Sequence, residues 1–451
     1  MSHHHGQTRR AFLGSVTGAA TVALAAVNVR GLSRRPEADA ATGRSARAAN
    51  DRIQIALIGA GGMGVEDAKT ALTIDGVRLV AACDLYDGRL QKAQEMWGRD
   101  ILTTRDYREV LARKNVDAVI IGTPDHWHQR ISIDAMDAGK AVYCEKPMVH
   151  ELGEGDAVIA AQRRNKAVFE VGSQGMSSLG NEKARELLAA GAIGTLNYAE
   201  GFWARNSPVG AWQYPVPKDA SAQTLDFDRF LGSSPKRPFD PIRFFRWRNY
   251  RDYGTGVSGD LFVHLFSSLH FITGSMGPTT IMASGGLRYW KDGRDAPDIM
   301  LGMFEYPEAA AHPPFNLSLR VNFVDGTSGS TYLRLVGSEG AMDVTWDDVT
   351  LRRNKKWDPL RAIQAEFRDD PEPASRQQML PSAVVYKVET GYKGAHYDHF
   401  NNLFTAMRGG KPVAEDAVFG YRAAAPALAC NQSYYEKRVI HWDPVGMKVV
   451  G

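Results

Sequence analysis

Residues 52–84, "RIQIALIGAGGMGVEDAKTALTIDGVRLVAACD", decide the fold of this chain. An apolar run from Arg52 to Ala60 breaks at a glycine-rich turn, continues as a helix-compatible stretch, and returns as a second apolar run ending at Asp84. Strand, turn, helix and strand within about thirty residues make the βαβ unit of a parallel sheet. Gly59, Gly61 and Gly64 stand in G-x-G-x-x-G spacing, with Gly62 and Met63 inside it. Glycines there permit a tight turn and bring helix N-terminal N–H groups against a pyrophosphate. Asp84 ends the second strand, where a carboxylate accepts hydrogen bonds from adenosine ribose hydroxyls and repels a 2′-phosphate. The pattern favours NAD over NADP. The competing reading, a structural turn with an unrelated strand-end aspartate, is weakened by the strand–turn–helix context.

The same alternation continues outward. "DAVIIGTP", "AVYCEKP" and "AVFEVGSQG" read as strands separated by helical stretches, which predicts a doubly wound parallel sheet over residues 52–175. From 176 to 451 the runs "TLNYAEGFWAR", "TTIMASGGLRYW", "IMLGMFEY", "LSLRVNFVDG" and "TYLRLVGSEGAMDVT" alternate polar and apolar residues. That is the pattern of an antiparallel sheet with one exposed face. Helical segments at His396–Arg408 and Val418–Glu436 close the chain. At 451 residues there is length for two full cores, and a net charge of +3 gives no broad basic face, so nucleic acid is a poor partner. Cys83, Cys144 and Cys430 neither make a disulfide framework nor show metal-ligand spacing, and no metal is expected.

Residues 1–51 read differently. "TRRAFLGSVTGAATVALAAVNV" sets Arg9-Arg10 before a mild apolar run, the pattern of a twin-arginine export signal, and residues 30–51 read as an unstructured linker. The run is too weak and too rich in Gly and Thr for a stable membrane span, although an anchor is the competing reading. The expected destination is the periplasm, or another place outside the cytoplasm, by way of export machinery that takes folded proteins.

"GTPDHWHQR", residues 122–130, follows the fourth strand of the parallel sheet, at the carboxyl edge where ligands bind. This places Thr123, Pro124, His126 and His128 beside the cofactor, with a structural histidine as the alternative. "CEKP" opens the next loop on that edge. Lys146 is placed to sit beside the nicotinamide or donate to a substrate oxygen, and a strand-end ion pair with Glu145 is the bland alternative. Pro147 follows and is a candidate for a cis bond. In "YGTGVSGDLFVHLFSSLHF", Asp260 and His264 are four apart, so a helix would put both on one face. They read either as a tuned general base or as a helix cap with a core histidine.

These marks together, with "AMDAGKAVYCEKP", "GSEG" and "GKPVAEDAVFGYRAAAPALA", resemble the glucose–fructose oxidoreductase, inositol dehydrogenase and rhizopine-catabolism family (Gfo/Idh/MocA), from about Arg52 to Pro444. The resemblance implies a Rossmann domain followed by an α/β domain with a large open, mostly antiparallel sheet, with C-terminal helices packing back on the first domain. It also implies homo-oligomers, dimers or tetramers, built through that sheet. The family's functional lysine falls on Lys146, its cofactor-contacting glutamate on Glu145, and its catalytic Asp and His on Asp260 and His264. Two positions depart from sugar-dehydrogenase members: Phe262 stands where a glycine is usual, and Ser267 where a second acid is usual. Trp203, Arg205, Trp212, Arg246, Trp247, Arg248 and Tyr250 offer aromatic faces and donors for a polyol, or else simply pack.

Three functions compete on this reading. One is an NAD-dependent oxidoreductase of a sugar, cyclitol or glycoside with tightly held cofactor. Another is a glycoside hydrolase working by transient oxidation, elimination, water addition and re-reduction. The third, a non-enzymatic binding protein, has no need to keep Lys146, Asp260 and His264.

Overall fold

The computed structural model describes residues 28–34, 52–327, 331–353 and 382–451. After β1 (Asn28–Leu32), the first domain holds β2 (Ile53–Ile58), β3 (Val77–Cys83), β4 (Leu102–Thr104), β5 (Ala118–Ile121), β6 (Ala141–Glu145) and β7 (Phe169–Gly172). They form one parallel sheet in the order β4-β3-β2-β5-β6-β7. β5 and β7 are buried at every residue and β2 and β6 nearly so, which explains runs such as "AVII" in place of alternation. Helices Gly62–Leu72 and Ala395–Met407 cover one face, the latter through Phe400, Leu403 and Phe404. Helices His128–Asp137 and Gly155–Asn165 cover the other. The strand order reverses between β2 and β5, and a crevice for ligand opens at the carboxyl ends there.

The second sheet contains β8 (Leu196–Ala204), β9 (Thr280–Gly286), β10 (Ile299–Tyr306), β11 (Phe315–Asn322), β12 (Tyr332–Gly337), β13 (Gly340–Val344), β14 (Asp348–Arg353), β15 (Ser382–Val388), β16 (Ile440–Asp443) and β17 (Lys448–Val450), with β1 at one edge. Its order is β1-β15-β14-β13-β12-β8-β11-β10-β9-β16-β17, antiparallel except at β1–β15 and β8–β11. β10 and β11 alternate between buried and solvent-facing residues along their length. Helices Leu179–Ala189, Val263–Thr273 and Ala417–Glu436 lie against this domain, and a continuous apolar core joins it to the first.

Arg9-Arg10 and the apolar run behind them lie outside the described residues. Within the stretch read as signal and linker, the structure differs at 28–34. Asn28–Leu32 pair with β15, and Arg34 bridges Glu182 at 3.0 Å and Asp398 at 2.8 Å. Most of this strand is solvent-exposed at a sheet edge, so no apolar periodicity announces it. Among the described residues no helix is long and apolar enough to cross a membrane.

Glu415, just before the last helix, is fully buried. It accepts a hydrogen bond from Ser267 Oγ at 3.2 Å, while its Oε2 has no partner, and burial raises its pKa to about 8. The folded value lies above the unfolded one of about 4.3. Its contribution is therefore fully present below that pH and is lost as pH rises toward 8. Melting temperatures of wild type and Glu415→Gln, measured from pH 5 to 8, should diverge progressively in favour of the glutamine. A constant difference would refute this.

Candidate active site

The glycine turn is shaped by contacts that exclude side chains. Gly59 has φ +93°, and a Cβ there would lie 2.6 Å from the Gly122 carbonyl carbon, where the β2 and β5 loops touch. A Cβ on Gly64 would strike the Gly59 carbonyl oxygen, whereas Gly62 looks onto open space. No side chain caps the helix that starts at Gly62, so its first N–H groups stay available at the cleft. Thr123 Oγ1 is buried without a partner. Asp84, 5% exposed, accepts from Tyr86 N at 3.0 Å and lies 3.4 Å from Arg89. This set fits a dinucleotide. Gly59, Gly61, Gly62, Met63 and Gly64 would take the pyrophosphate, Asp84 the adenosine ribose, and Thr123 and Pro124 the nicotinamide half. All but Gly64 line one cavity of about 650 Å³ that runs on to Lys146, Asp260 and His264.

The adenosine end is roofed by residues 214–250 of the second domain. Asp87 N donates to Thr224 O at 2.9 Å and Asp226 N to Leu85 O at 3.0 Å. Tyr86 Oη donates to Asp219 at 2.6 Å, and Arg105 donates to Gln223 O at 2.8 Å. The Arg89 guanidinium stands 5.3 Å from each of the Phe244 and Phe245 rings. Tyr86, Leu225, Phe227, Phe230 and Phe245 form a separate apolar cluster beneath this roof.

At the other end, Lys146 does not pair with Glu145. Its Nζ donates to Asp260 Oδ1 at 2.8 Å and to the Asp260 carbonyl at 3.0 Å. Arg248 Nε reaches the same Oδ1 at 3.3 Å. Asp260 lies in a π-helical turn, Ser258–Phe262, that leads into the helix Val263–Thr273. Although burial opposes it, the cations Lys146 and Arg248 hold the Asp260 carboxyl well below the usual range. His264 shows the opposite balance. Burial, then Lys146, push its pKa well down, and its Nδ1 is buried without a partner. No hydrogen bond joins Asp260 to His264, so the carboxylate serves Lys146 rather than orienting the imidazole. Trp203 stacks on the His264 ring at 5.1 Å and Trp346 meets it edge-on at 5.8 Å. Glu145, 4% exposed, accepts from Gln174 at 2.7 Å, and burial lifts its pKa to about 8. The Lys146–Pro147 peptide is cis.

Three residues expected to contact ligand do not line the cavity. His128 Nδ1 and Nε2 face the Pro147 and Thr123 carbonyls at 2.7 and 2.9 Å. His126 Nε2 meets Phe230 O at 2.8 Å and its Nδ1 Tyr253 O at 3.3 Å. Both rings face backbone carbonyls and line no part of the cleft. Tyr250 is 6% exposed in the roof cluster, with Arg243 stacked 4.2 Å over it. Asp125, in the same loop as the histidines, accepts from Thr255 N and Oγ1 at 2.9 and 2.7 Å, tying the two domains together. Trp203, Arg205, Trp247 and Arg248 do line the cavity; Trp212 borders it but is 1% exposed against Phe323.

Sequence reasoning missed Trp346, Gln174 and His396, which also line the cavity. Trp346 sits on the β13–β14 turn, admitted by Gly175 and Gly180, where a Cβ would collide with Trp346 and with the Thr345 carbonyl. Nothing local marks that turn as part of a site. His396 is held by fully buried Asp67 at 2.8 Å, and its "AHYDHF" setting was a signal available but unused.

Two family models of Gfo/Idh/MocA match, one described as an oxidoreductase family with NAD-binding Rossmann fold over residues 53–173, the other as its C-terminal alpha/beta domain over 185–442. Inositol 2-dehydrogenase of Salmonella typhimurium is 27% identical over 165 residues, 36% of this chain and 49% of that protein. Glycosyl hydrolase family 109 protein 2 of Shewanella sp. (strain ANA-3) is 34% identical over 169 residues, 33% of this chain and 35% of that one. The matches thus span half or less of these curated relatives. Among solved structures, the WlbA dehydrogenase from Bordetella pertussis in complex with NADH and UDP-GlcNAcA superposes with TM-score 0.65 at 17% identity, covering 87% of this chain and 99% of that one. Levoglucosan dehydrogenase in complex with NADH gives 0.64 at 17%, covering 86% and 99%. At these identities the superpositions establish the fold.

If the roof holds the cofactor in, loosening it speeds exchange. Tyr86→Phe removes the hydroxyl bond to Asp219, worth about 1.5–3 kcal/mol for a charged acceptor. Displacement of bound NADH, followed by its fluorescence, should quicken roughly tenfold while the circular-dichroism spectrum is unchanged. An unaltered off-rate would show that the roof does not gate release.

Proposed function

The chain belongs to the Gfo/Idh/MocA oxidoreductase family, and on that premise we propose that it oxidises a hydroxyl of a sugar, cyclitol or glycoside. The observation that carries this is the buried Lys146–Asp260 pair with neutral His264 beside it, at the end of a dinucleotide cradle. When bound, the nicotinamide supplies a two-electron hydride acceptor. The chain's own residues handle the proton and the position. Lys146 spends two of its three N–H donors on Asp260, leaving the third for the reacting oxygen. That donor stabilises the oxygen as negative charge develops on it. His264, neutral at pH 7, accepts the hydroxyl proton as the carbon loses its hydride and becomes a carbonyl. Trp203 holds the imidazole plane through stacking.

Export by the twin-arginine route completes the reading. A cofactor loaded before export and closed under the roof needs no external supply. An oligomer through the open sheet face is supported by Leu301 and Met303, 48% and 56% exposed on β10.

A glycosidase working through transient oxidation is the second reading, favoured by the 34% identical hydrolase-family relative. Incubating purified protein with free sugars and aryl glycosides separates the two. Sugar-dependent NADH absorbance without cleavage is the expected result; aglycone release without net NADH would replace the oxidoreductase reading by the hydrolase. Lys146→Met should lower turnover at least about a hundredfold while bound nucleotide, released by denaturation and quantified, stays at the wild-type level. Near-normal turnover would remove Lys146 from the mechanism.

A further inference from the structure

Arginines of the described residues are held by acids at several places: Arg294 by Asp292 at 2.7 Å, Arg105 by Asp87 at 2.6 Å and Arg334 by Glu200 at 3.0 Å. At the reacting end of the cleft the cations outnumber the acids. Arg205 makes no ion pair among the described residues; its only side-chain hydrogen bond is a long one, 3.4 Å, to Gly210 O. Arg248 gives Nε to Asp260 and lays its guanidinium 4.1 Å over Trp247, while its two terminal nitrogens meet no acceptor among the described residues. Both side chains line the cavity. Of the acids there, Asp260 already serves both Lys146 and Arg248, and Glu145 is held neutral at pH 7 by burial. Three cations thus face one ionised carboxylate. Arg205 also helps to depress the pKa of His264 and of Asp260, which places its charge close to both.

Unpaired cations in a partly desolvated cleft are costly, and a planar guanidinium fork matches a carboxylate or phosphate in two-point fashion. A neutral polyol would leave the charge excess unanswered. We propose that the substrate is a sugar or polyol bearing an oxyanion, and that Arg205 and the free edge of Arg248 bind it. This rests on the oxidoreductase reading above, and it selects sugar acids or sugar phosphates within that substrate class. The pyrophosphate of the cofactor does not account for these arginines. Its cradle is the glycine turn, whereas Arg248 contacts the same Asp260 oxygen as Lys146.

The test uses nucleotide-loaded full-length protein and matched neutral and acidic ligands: glucose, glucuronate and glucose 6-phosphate; galactose and galacturonate; sorbitol and gluconate. Binding is read from tryptophan fluorescence, since Trp203, Trp247 and Trp346 line the cavity. At least one anionic ligand should bind about tenfold tighter than its neutral partner, with the gap narrowing as salt is raised from 50 to about 500 mM. Whether the uronates or the phosphate gain identifies the oxyanion. Arg205→Met should shrink the gap to within about twofold, with Arg205→Lys retaining part of it and nucleotide content unchanged in both. If no anionic ligand binds better than its neutral partner, or if the gap ignores salt, the proposal falls. NADH absorbance recorded in parallel keeps the two readings apart. Neutral sugars oxidised without anion preference would sink the oxyanion and leave the oxidoreductase. Anion-selective binding with no hydride transfer from any ligand would do the reverse.

Discussion

The ion pair between Lys146 and Asp260 constrains much of this molecule. Both side chains are under a tenth exposed, and each comes from a different domain. A buried pair of this kind seldom stabilises a fold by itself, because desolvating two charges costs about what their attraction returns. Removing either partner leaves a buried charge alone, so the two domains must meet where these residues meet. The first domain brings Lys146 to the mouth of β6, where an apolar run ends inside the cleft. The second answers with a π-turn that offers both the Asp260 carboxylate and its carbonyl. The loop 122–130 secures the same junction with Asp125 on Thr255 and His126 on Phe230 and Tyr253. Asp125 and His126 are thus spent on holding the domains in register, while His128 is taken up by carbonyls of its own domain.

One degree of burial produces three protonation outcomes here, and neighbours decide which. Desolvation disfavours the charged form of every group. Asp260 overcomes it because Lys146 and Arg248 touch it, and it stays ionised. Glu145 lies beside Lys146 in sequence but accepts from neutral Gln174, and burial prevails. For His264 burial, then Lys146 and Arg205, outweigh Asp260 and push it toward the neutral ring. An ionised carboxylate beside a neutral imidazole is the division that proton abstraction near pH 7 requires.

Legibility in the sequence followed the range of the signal. The βαβ run, the glycine turn and Asp84 are local features whose spacing carries their meaning, and the turn and Asp84 line one cavity at the carboxyl edge of the parallel sheet. Strands β8 to β13 were readable because one face is solvated and alternation survives. β1 and β15 were not: they pair across more than 350 residues, and β1 is a short, largely exposed edge strand. Lys146, Asp260 and His264 could be named from spacing and resemblance, but not their geometry. A four-residue interval suggested Asp–His coupling, whereas the structure couples Asp260 to a lysine 114 positions away. Trp346 reaches His264 only because two glycines in a different segment leave it room, which no local pattern encodes.

The two ends of the cleft are built by different means, and this bears on how such a site changes its substrate. The cofactor end is closed partly through backbone atoms, Asp87 N to Thr224 O and Asp226 N to Leu85 O, beside the side-chain bonds of Tyr86 to Asp219 and Arg105 to Gln223 O. The backbone bonds tolerate side-chain replacement, so that part of the closure can persist while sequence drifts. The reacting end is lined by side chains from separate elements: Trp203 and Arg205 at the end of β8, Trp247 and Arg248 before the π-turn, and Trp346 on the β13–β14 turn. None of these five is a fully buried core residue, so each can be exchanged without emptying a core. Lys146, Asp260 and His264 stand between the two regions and are tied to the domain junction itself. The Lys146–Asp260 contact thus belongs to the domain junction, whereas much of the lining around it comes from partly exposed side chains.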